Sequence, residues 1–256
     1  MSSERGERIS LSETISFEGK SVLITGSSSG IGRAIAERFS EARANLILLD
    51  INAADPNTTY PIDLSDKNKI DEFWNNTKVL PDILVNNVGI YPEQNFLRLS
   101  KESLNKTLSI NMESTVWMCQ NFIKLRGKKG GIIVNISSIE AILPFKRDLI
   151  PYSMSKAGVI ALTRSLARDY GRDGFRVNAI LPGAIETPGT GSLVKSALKN
   201  FRVDLIKTGY NFNERLANGR WGKPDEVAKA VIFLSSDLAS YVQGTLLPVD
   251  GGFLSS

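Results

Sequence analysis

Histidine is absent from this 256-residue chain, and cysteine occurs once, at Cys119. The first absence removes Ser-His-Asp and Cys-His catalytic arrangements. The second removes intrachain disulfides, and the two together remove zinc sites built on His or Cys clusters. Any acid-base chemistry must come from carboxylates, lysines or tyrosines, whose ordinary pKa values lie far from neutrality and need tuning. No apolar run reaches the length of a membrane span, and the opening MSSERGERISLSETISFEGK lacks a signal-peptide core. A strong charge of one sign is missing too: the net charge is +4, with basic residues scattered among acidic ones, which reads as solvated surface and not as a nucleic-acid stripe. These absences lead us to expect a cytoplasmic protein with no membrane partner, no nucleic-acid partner and no metal.

With 42% hydrophobic residues the chain can bury a full core. Short runs rich in Val, Ile and Leu alternate with amphipathic stretches from end to end: SVLITG, NLILLD, DILVNN, GIIVNISS, FRVNAILPG and GTLLPVDGG. Runs of this length predict parallel strands buried on both faces, and the stretches between them predict helices over 31–41, 67–77, 101–124, 153–170 and 224–235. The expected fold is therefore α/β: a single domain built on one doubly wound parallel sheet with helices on both faces, spanning 17–256 behind a polar arm at 1–16. One interval is too short for this scheme. Between NLILLD and YPIDL only 51–59 intervene, fewer than the dozen or so residues of a usual parallel crossover. Either a bare loop crosses the sheet or the strand boundaries differ.

The first strand runs into TGSSSGIG (25–32) and then a helix. Gly26, Gly30 and Gly32 allow a tight turn and close approach of the backbone to a pyrophosphate, with free N–H groups at the helix start. Asp50 ends the next strand eighteen residues beyond Gly32. A carboxylate there accepts hydrogen bonds from both ribose hydroxyls of NAD and repels the 2′-phosphate of NADP, so NAD(H) is expected. Arg33 is the residue that could reach a 2′-phosphate and admit NADP; its ordinary role is a solvated first-turn arginine. In YSMSK, Tyr152 and Lys156 stand at i and i+4, on one helical face.

Together with NNVG (86–89), Asn111 in SINMES, IVNISS (133–138), LPGAIET (181–187) and the terminal VDGG (249–252), these motifs occur in an order that resembles the classical short-chain dehydrogenase/reductases over 17–253. The resemblance implies a Rossmann-type single domain and nicotinamide-dependent oxidation of an alcohol or reduction of a carbonyl, commonly in a tetramer. It implies that Tyr152 is the general acid-base, that Lys156 favours its ionised form, that Ser138 binds the substrate oxygen, and that Asn111 positions the lysine through water. Ser137 is the rival to Ser138. The implied cofactor cradle holds Gly26, Ser28, Ser29, Gly30, Ile31, Gly32, Asp50, Ile51, Asp63, Leu64, Asn87, Val88, Gly89, Tyr152, Lys156, Pro182, Gly183, Ile185 and Thr187. Asp63 is expected at the adenine amino group, Ile185 at the carboxamide, and Thr187 at the carboxamide or pyrophosphate.

Val88 stands where the family usually has alanine, and Ala141 where it usually has glycine. Phe145, Lys146 and Arg147 could line the substrate mouth, although a solvated charge pair accounts for the last two. Residues 188–220 match no pattern and are expected to fold over the site as a lid. Within them Leu193, Leu198, Phe201, Leu205 and Ile206 have helical spacing, and Tyr210 and Phe212 are candidates to face substrate. Val116, Trp117, Val159, Ile160 and Leu166 suggest burial against the sheet and a second subunit, in a homodimer or homotetramer. For substrate, a small sugar, polyol or similar secondary alcohol oxidised with NAD comes first, followed by NADPH-dependent reduction of a 3-oxoacyl thioester. A nicotinamide-binding paralogue without turnover is the alternative outside catalysis.

Overall fold

The computed structural model describes residues 10–52, 59–190 and 214–256. A one-turn helix α1 (Leu11–Thr14), closed by a capping box between Ser10 and Glu13, precedes β1 (Ser21–Thr25), α2 (Gly30–Glu41), β2 (Asn45–Asp50) and β3 (Thr59–Pro61). There follow α3 (Lys67–Asn76), β4 (Ile83–Asn86), α4 (Lys101–Leu108), α5 (Ser114–Arg126) and β5 (Gly131–Ile136). The chain then forms α6 (Ile150–Tyr170), β6 (Phe175–Pro182), α7 (Pro224–Ser235) and β7 (Leu246–Val249). Most of the expected lid, with all seven of its named apolar and aromatic candidates, lies outside the described residues.

The strands make one parallel sheet in the order β3-β2-β1-β4-β5-β6-β7. Alternation along each strand sends successive side chains to opposite faces. Val22 and Ile24 of β1 join Val134, Ile136 and Ile180 under α2 and α7, where Ile35, Phe39, Val227, Val231 and Leu234 pack. Leu23 turns the other way, with Leu84, Ile133 and Val177, to meet Phe73, Trp74, Met118 and Phe122 of α3 and α5. Fully burying one such side chain is worth about 1.5–3 kcal/mol, so the two layers hold the sheet from both sides.

β1 lies between β2 and β4, so the chain leaves β1 in one direction and returns to begin β4 on its other side. At that switch point the connections diverge beyond the carboxyl ends of the strands and leave a crevice. β2 ends at Asp50 as expected, whereas β3 is Thr59–Pro61, beginning one residue before YPIDL and ending before its Ile62. Leu48 of β2 pairs in parallel with Thr59, so eight residues separate two parallel neighbours, and 53–58 of these lie outside the described residues.

Two helices differ from expectation. The stretch 101–124 is not one α-helix: a π-helical turn at Ser109–Glu113 separates α4 from α5. α6 begins three residues early, with Pro151 in its first turn, where the missing N–H costs nothing. Of the residues assigned to a subunit contact, Val159 and Ile160 are buried within the chain's own core; Val116, Trp117 and Leu166 keep partial exposure.

Candidate functional site

β1 ends at Thr25, and the chain turns through Gly26 (φ 65°) and Gly30 (φ 54°) into α2. Gly32 is required for space rather than for φ. A Cβ there would stand 1.9 Å from the Gly26 carbonyl oxygen and 2.6 Å from Asn87 Nδ2. Asn87 ties this turn to the next strand: its Nδ2 donates to the carbonyls of Thr25 (3.1 Å) and Gly26 (3.0 Å). The N–H groups of Asn87 and Val88 both donate to Thr25 Oγ1. Ser29, at the N-cap of α2, makes no side-chain cap bond, so the first-turn N–H groups are left for another acceptor at the positive end of the helix.

Asp50 sits at the lip of this turn. One of its oxygens accepts from the Ser28 N–H (3.0 Å) and the other from the Asn52 N–H (2.9 Å). Ser28 therefore supports Asp50 from behind. Arg33 pairs with Glu37 at 2.9 Å on an exposed face of α2 and does not line the cleft, in keeping with its ordinary role. Asp63 accepts from the N–H and hydroxyl of Ser65, and these bonds hold its carboxyl below the usual carboxylate range.

A cleft of about 770 Å³ runs from here over the ends of β1, β4 and β5. Its wall includes Gly26, Ser29, Gly30, Ile31, Asp50, Ile51, Asp63, Leu64, Asn87, Val88 and Gly89 at one end. Ser138, Tyr152, Lys156, Pro182, Gly183, Ile185 and Thr187 complete the predicted set on the wall. Three predicted residues stand behind it: Ser28, Gly32 and Asn111. Thr187 lies across from the glycine turn, since a Cβ on Gly30 would come within 3.4 Å of its methyl group. Thr190 fastens it, accepting from the Thr187 N–H (2.9 Å) and donating to the Ile185 carbonyl (2.8 Å).

At the far end Ser138 caps a short turn, its Oγ accepting from the Glu140 N–H at 3.2 Å. It also hydrogen-bonds Tyr152. Ser137 is occupied elsewhere, donating to the Lys156 carbonyl at 2.9 Å, which is the structural role open to the rival serine. Burial pushes the Tyr152 phenol up to about 12; the bond to Ser138 opposes this, and Glu140 and Tyr91 add to it. Lys156 Nζ lies 5.9 Å from the Tyr152 ring centroid and donates to the Ile136 carbonyl (2.8 Å), while burial lowers the ammonium to about 8. At that distance the cation does not bring the phenol toward neutrality, because desolvation outweighs it.

Asn111 is fully buried in the π-helical turn. Its Oδ1 accepts from the Ile90 N–H (2.8 Å), and its Nδ2 donates to the Ile90 carbonyl (2.7 Å) and to Ser155 Oγ (3.1 Å). The extra residue of a π turn breaks the regular bond pattern and aims this side chain inward, a device common at functional sites. A Cβ on Gly89 would come 3.2 Å from Lys156 Nζ and 3.5 Å from Asn111 Oδ1, so this glycine occupies the space between lysine and asparagine.

Sequence reasoning missed Tyr91, Glu93, Glu140 and Thr190. Tyr91 packs edge-on against Tyr152, with ring centroids 6.1 Å apart. Glu93 pairs with Lys146 at 2.6 Å, both largely buried in the cleft wall, which corrects the reading of Lys146 as a solvated charge. Arg147 is exposed, as that reading has it. Only the position of Glu140, two residues after Ser138, offered a signal.

A nucleotide-sized cleft with a glycine turn at one end and a Ser-Tyr-Lys group at the other defines an oxidoreductase of alcohols and carbonyls, and the comparisons agree. The chain matches a family model described as enoyl-(acyl carrier protein) reductase over residues 26–254. The 3-oxoacyl-[acyl-carrier-protein] reductase of Aquifex aeolicus is 36% identical over 259 residues, covering 93% of this chain and 98% of its own. The meso-2,3-butanediol dehydrogenase of Serratia marcescens is 32% identical, with coverages of 94% and 96%. A solved Agrobacterium tumefaciens structure, assigned as a 2-deoxy-D-gluconate 3-dehydrogenase and holding NADP, superimposes with a TM-score of 0.83 at 33% identity, covering 95% of this chain and 99% of that one. This chain belongs to the short-chain dehydrogenase/reductase family. No helix among the described residues is long and apolar enough to cross a membrane.

Proposed function

We propose that the protein interconverts a secondary alcohol, such as a sugar, polyol or diol, with its carbonyl, using NAD(H). The observation that carries this reading is the meeting of Ser138, Tyr152 and Lys156 at one end of a cleft whose other end holds the glycine turn and Asp50. These residues fit a nicotinamide dinucleotide: Gly26 and Gly30 present bare backbone on the cleft wall, the uncapped start of α2 offers donors to phosphate, and Asp50 offers a carboxylate to ribose. When bound, that cofactor supplies or accepts the hydride and, oxidised, adds a positive charge.

The chain's own residues do the rest. Ser138 Oγ holds the substrate oxygen beside the Tyr152 hydroxyl and steadies the charge that develops on it. In the reductive direction the hydroxyl gives its proton to that oxygen; in oxidation the phenolate removes it. Lys156 stabilises the phenolate, and the Asn111 grip on Ile90 keeps Gly89 and the lysine pocket in register. The Glu93 carboxylate already answers the charge of Lys146, which favours a neutral substrate over an anionic one. The partly exposed faces of α5 and α6 join two copies in a dimer or tetramer, tested by solution mass.

A second reading, reduction of a 3-oxoacyl thioester with NADPH, is favoured by the Aquifex aeolicus relative and the family description. Reduced-nicotinamide absorbance over polyols, diols, secondary alcohols and acetoacetyl thioesters, each with NAD(H) and NADP(H), separates the two. Alcohol oxidation with NAD, lost in Tyr152→Phe while NADH binding is retained, is the expected result. Thioester reduction with NADPH would move the second reading to first.

A further inference from the structure

We infer that Glu140 is a positioning residue that pins the substrate-side loop to the reacting end of the cleft and holds the Tyr152 hydroxyl in its protonated form. The inference rests on the acid-base reading of Tyr152. Glu140 is only 3% exposed, which is rare for a carboxylate without strong partners. Three segments converge on it. Its own N–H donates to Ser138 Oγ (3.2 Å), one carboxylate oxygen accepts from the Lys146 N–H (3.1 Å), and the other accepts from Ser153 Oγ (3.4 Å). The strand-end turn after β5, the loop leading to α6, and the first turn of α6 are thereby joined at one carboxyl, next in sequence to Tyr152 on the α6 side.

A carboxylate here is costly, and burial pushes its pKa up; the N–H groups of Lys146 and Phe145, Ser153 and the Lys146 ammonium pull it back. Fold alone does not require a charge at this position, because a neutral amide could answer the same hydroxyl and one of the N–H groups. The groups around the phenol oppose one another. From α6, Lys156 Nζ stands 5.9 Å from the Tyr152 ring centroid, a cation on the side of the phenolate by charge alone. Ser138, from the end of β5, also favours it by hydrogen bonding, whereas Tyr91 and the Glu140 carboxylate disfavour it. Glu93, from the loop after β4, is paired with Lys146 and so reduces that lysine's hold on Glu140. Burial is the largest influence keeping the proton on Tyr152, the form that donates to a carbonyl, and an ionised Glu140 adds to it, raising the pH above which alcohol oxidation begins.

The test is a tyrosinate absorbance titration with NAD present, taken as the difference between each protein and the same protein carrying Tyr152→Phe. Glu140→Gln removes the charge and keeps a hydrogen-bonding amide; Ser153→Ala removes one bond and keeps the charge. The expected result is a Tyr152 midpoint at least about half a pH unit lower in Glu140→Gln, with Ser153→Ala titrating like wild type. Coincident midpoints in wild type and Glu140→Gln, or an equal shift in Ser153→Ala, would overturn the inference. Turnover of meso-2,3-butanediol by Tyr152→Phe at the wild-type rate would overturn the acid-base reading and this inference with it. Coincident midpoints with Tyr152→Phe silent would overturn this inference alone.

Discussion

Replacing Asp50 by asparagine tests the cofactor end of the cleft most directly. The carboxylate is held in place by the Ser28 and Asn52 N–H groups, one on each oxygen, so its position does not depend on the ligand. A hydrogen bond to a charged acceptor contributes about 1.5–3 kcal/mol, and exchanging it for a neutral acceptor forfeits roughly half of that. Losing this for two ribose hydroxyls weakens NADH binding by about 1.5–3 kcal/mol. The 2′-phosphate of NADPH gains in the same variant, because two unit charges about 4 Å apart repel by about 1 kcal/mol in water and about 4 kcal/mol near a protein surface. Asp50 is partly exposed, so we take the lower part of that range, about 1–2 kcal/mol. The 3′-hydroxyl bond weakens for both cofactors and cancels, so the 2′-hydroxyl (about 0.75–1.5 kcal/mol) and the relieved repulsion together shift the NADH-to-NADPH preference by about 2–3.5 kcal/mol, on the order of thirty- to several-hundredfold. Fluorescence titration of both reduced cofactors into wild type and Asp50→Asn measures this ratio, with a thermal melt to register the N–H that asparagine leaves unanswered. A ratio unmoved by the substitution, or a wild-type protein that prefers NADPH, would refute the reasoning.

The other predictions concern space, charge and burial. Gly32→Ala forces a Cβ onto the Gly26 carbonyl and should abolish measurable NADH binding while costing at least about 1–3 kcal/mol in denaturant unfolding, since backbone must move. Lys156, lowered by burial from 10.5 to about 8, binds fewer protons folded than unfolded between those values, so stability rises with pH there. Lys156→Met should accordingly gain on wild type at pH 8 and below and lose up to about 3 kcal/mol of that advantage by pH 10.5, as read from urea midpoints of the cofactor-free proteins. The Cys119 thiol is buried and pushed up to about 12, so a thiol reagent should modify it no faster than the protein opens. Asn135→Ala removes one of two partners from both Asn86 Nδ2 and Thr163 Oγ1 and should cost about 2–3 kcal/mol in the same unfolding assay.

The parts of this molecule that were legible in its sequence are those where chemistry is set by local backbone demands. Gly26, Gly30 and Gly32 could be read because a tight strand-to-helix turn tolerates no other residue at two φ values and one contact. Tyr152 and Lys156 could be read because four residues of helix bring them to one face. The π-helical turn at Asn111 could not, since 101–124 has a helical pattern throughout and the irregularity is imposed by what the asparagine grips, the Ile90 main chain twenty-one residues away. The close spacing of β2 and β3 was flagged by the length of the interval alone.

The substrate end is harder to read for a related reason. Its polar contacts join residues that no local rule connects: Glu93 to Lys146 across fifty-three positions, and Glu140 to a loop N–H and to a serine of α6. A cofactor shared across a family is met mainly by main-chain geometry, which leaves glycine and turn signatures at fixed spacing. A substrate is met by side-chain pairs assembled from separate loops, and loops carry the variation that lets one scaffold serve many reactions. The Glu93–Lys146 pair is a concrete case. A buried lysine facing a carboxylate is neutralised, whereas the same lysine alone would recruit an anion, so a change at position 93 alters the substrate class without touching Ser138, Tyr152 or Lys156. Glu93→Gln should therefore improve turnover of carboxylate-bearing alcohols relative to neutral ones, and an unchanged ratio in competition assays would mean that Lys146 never meets substrate.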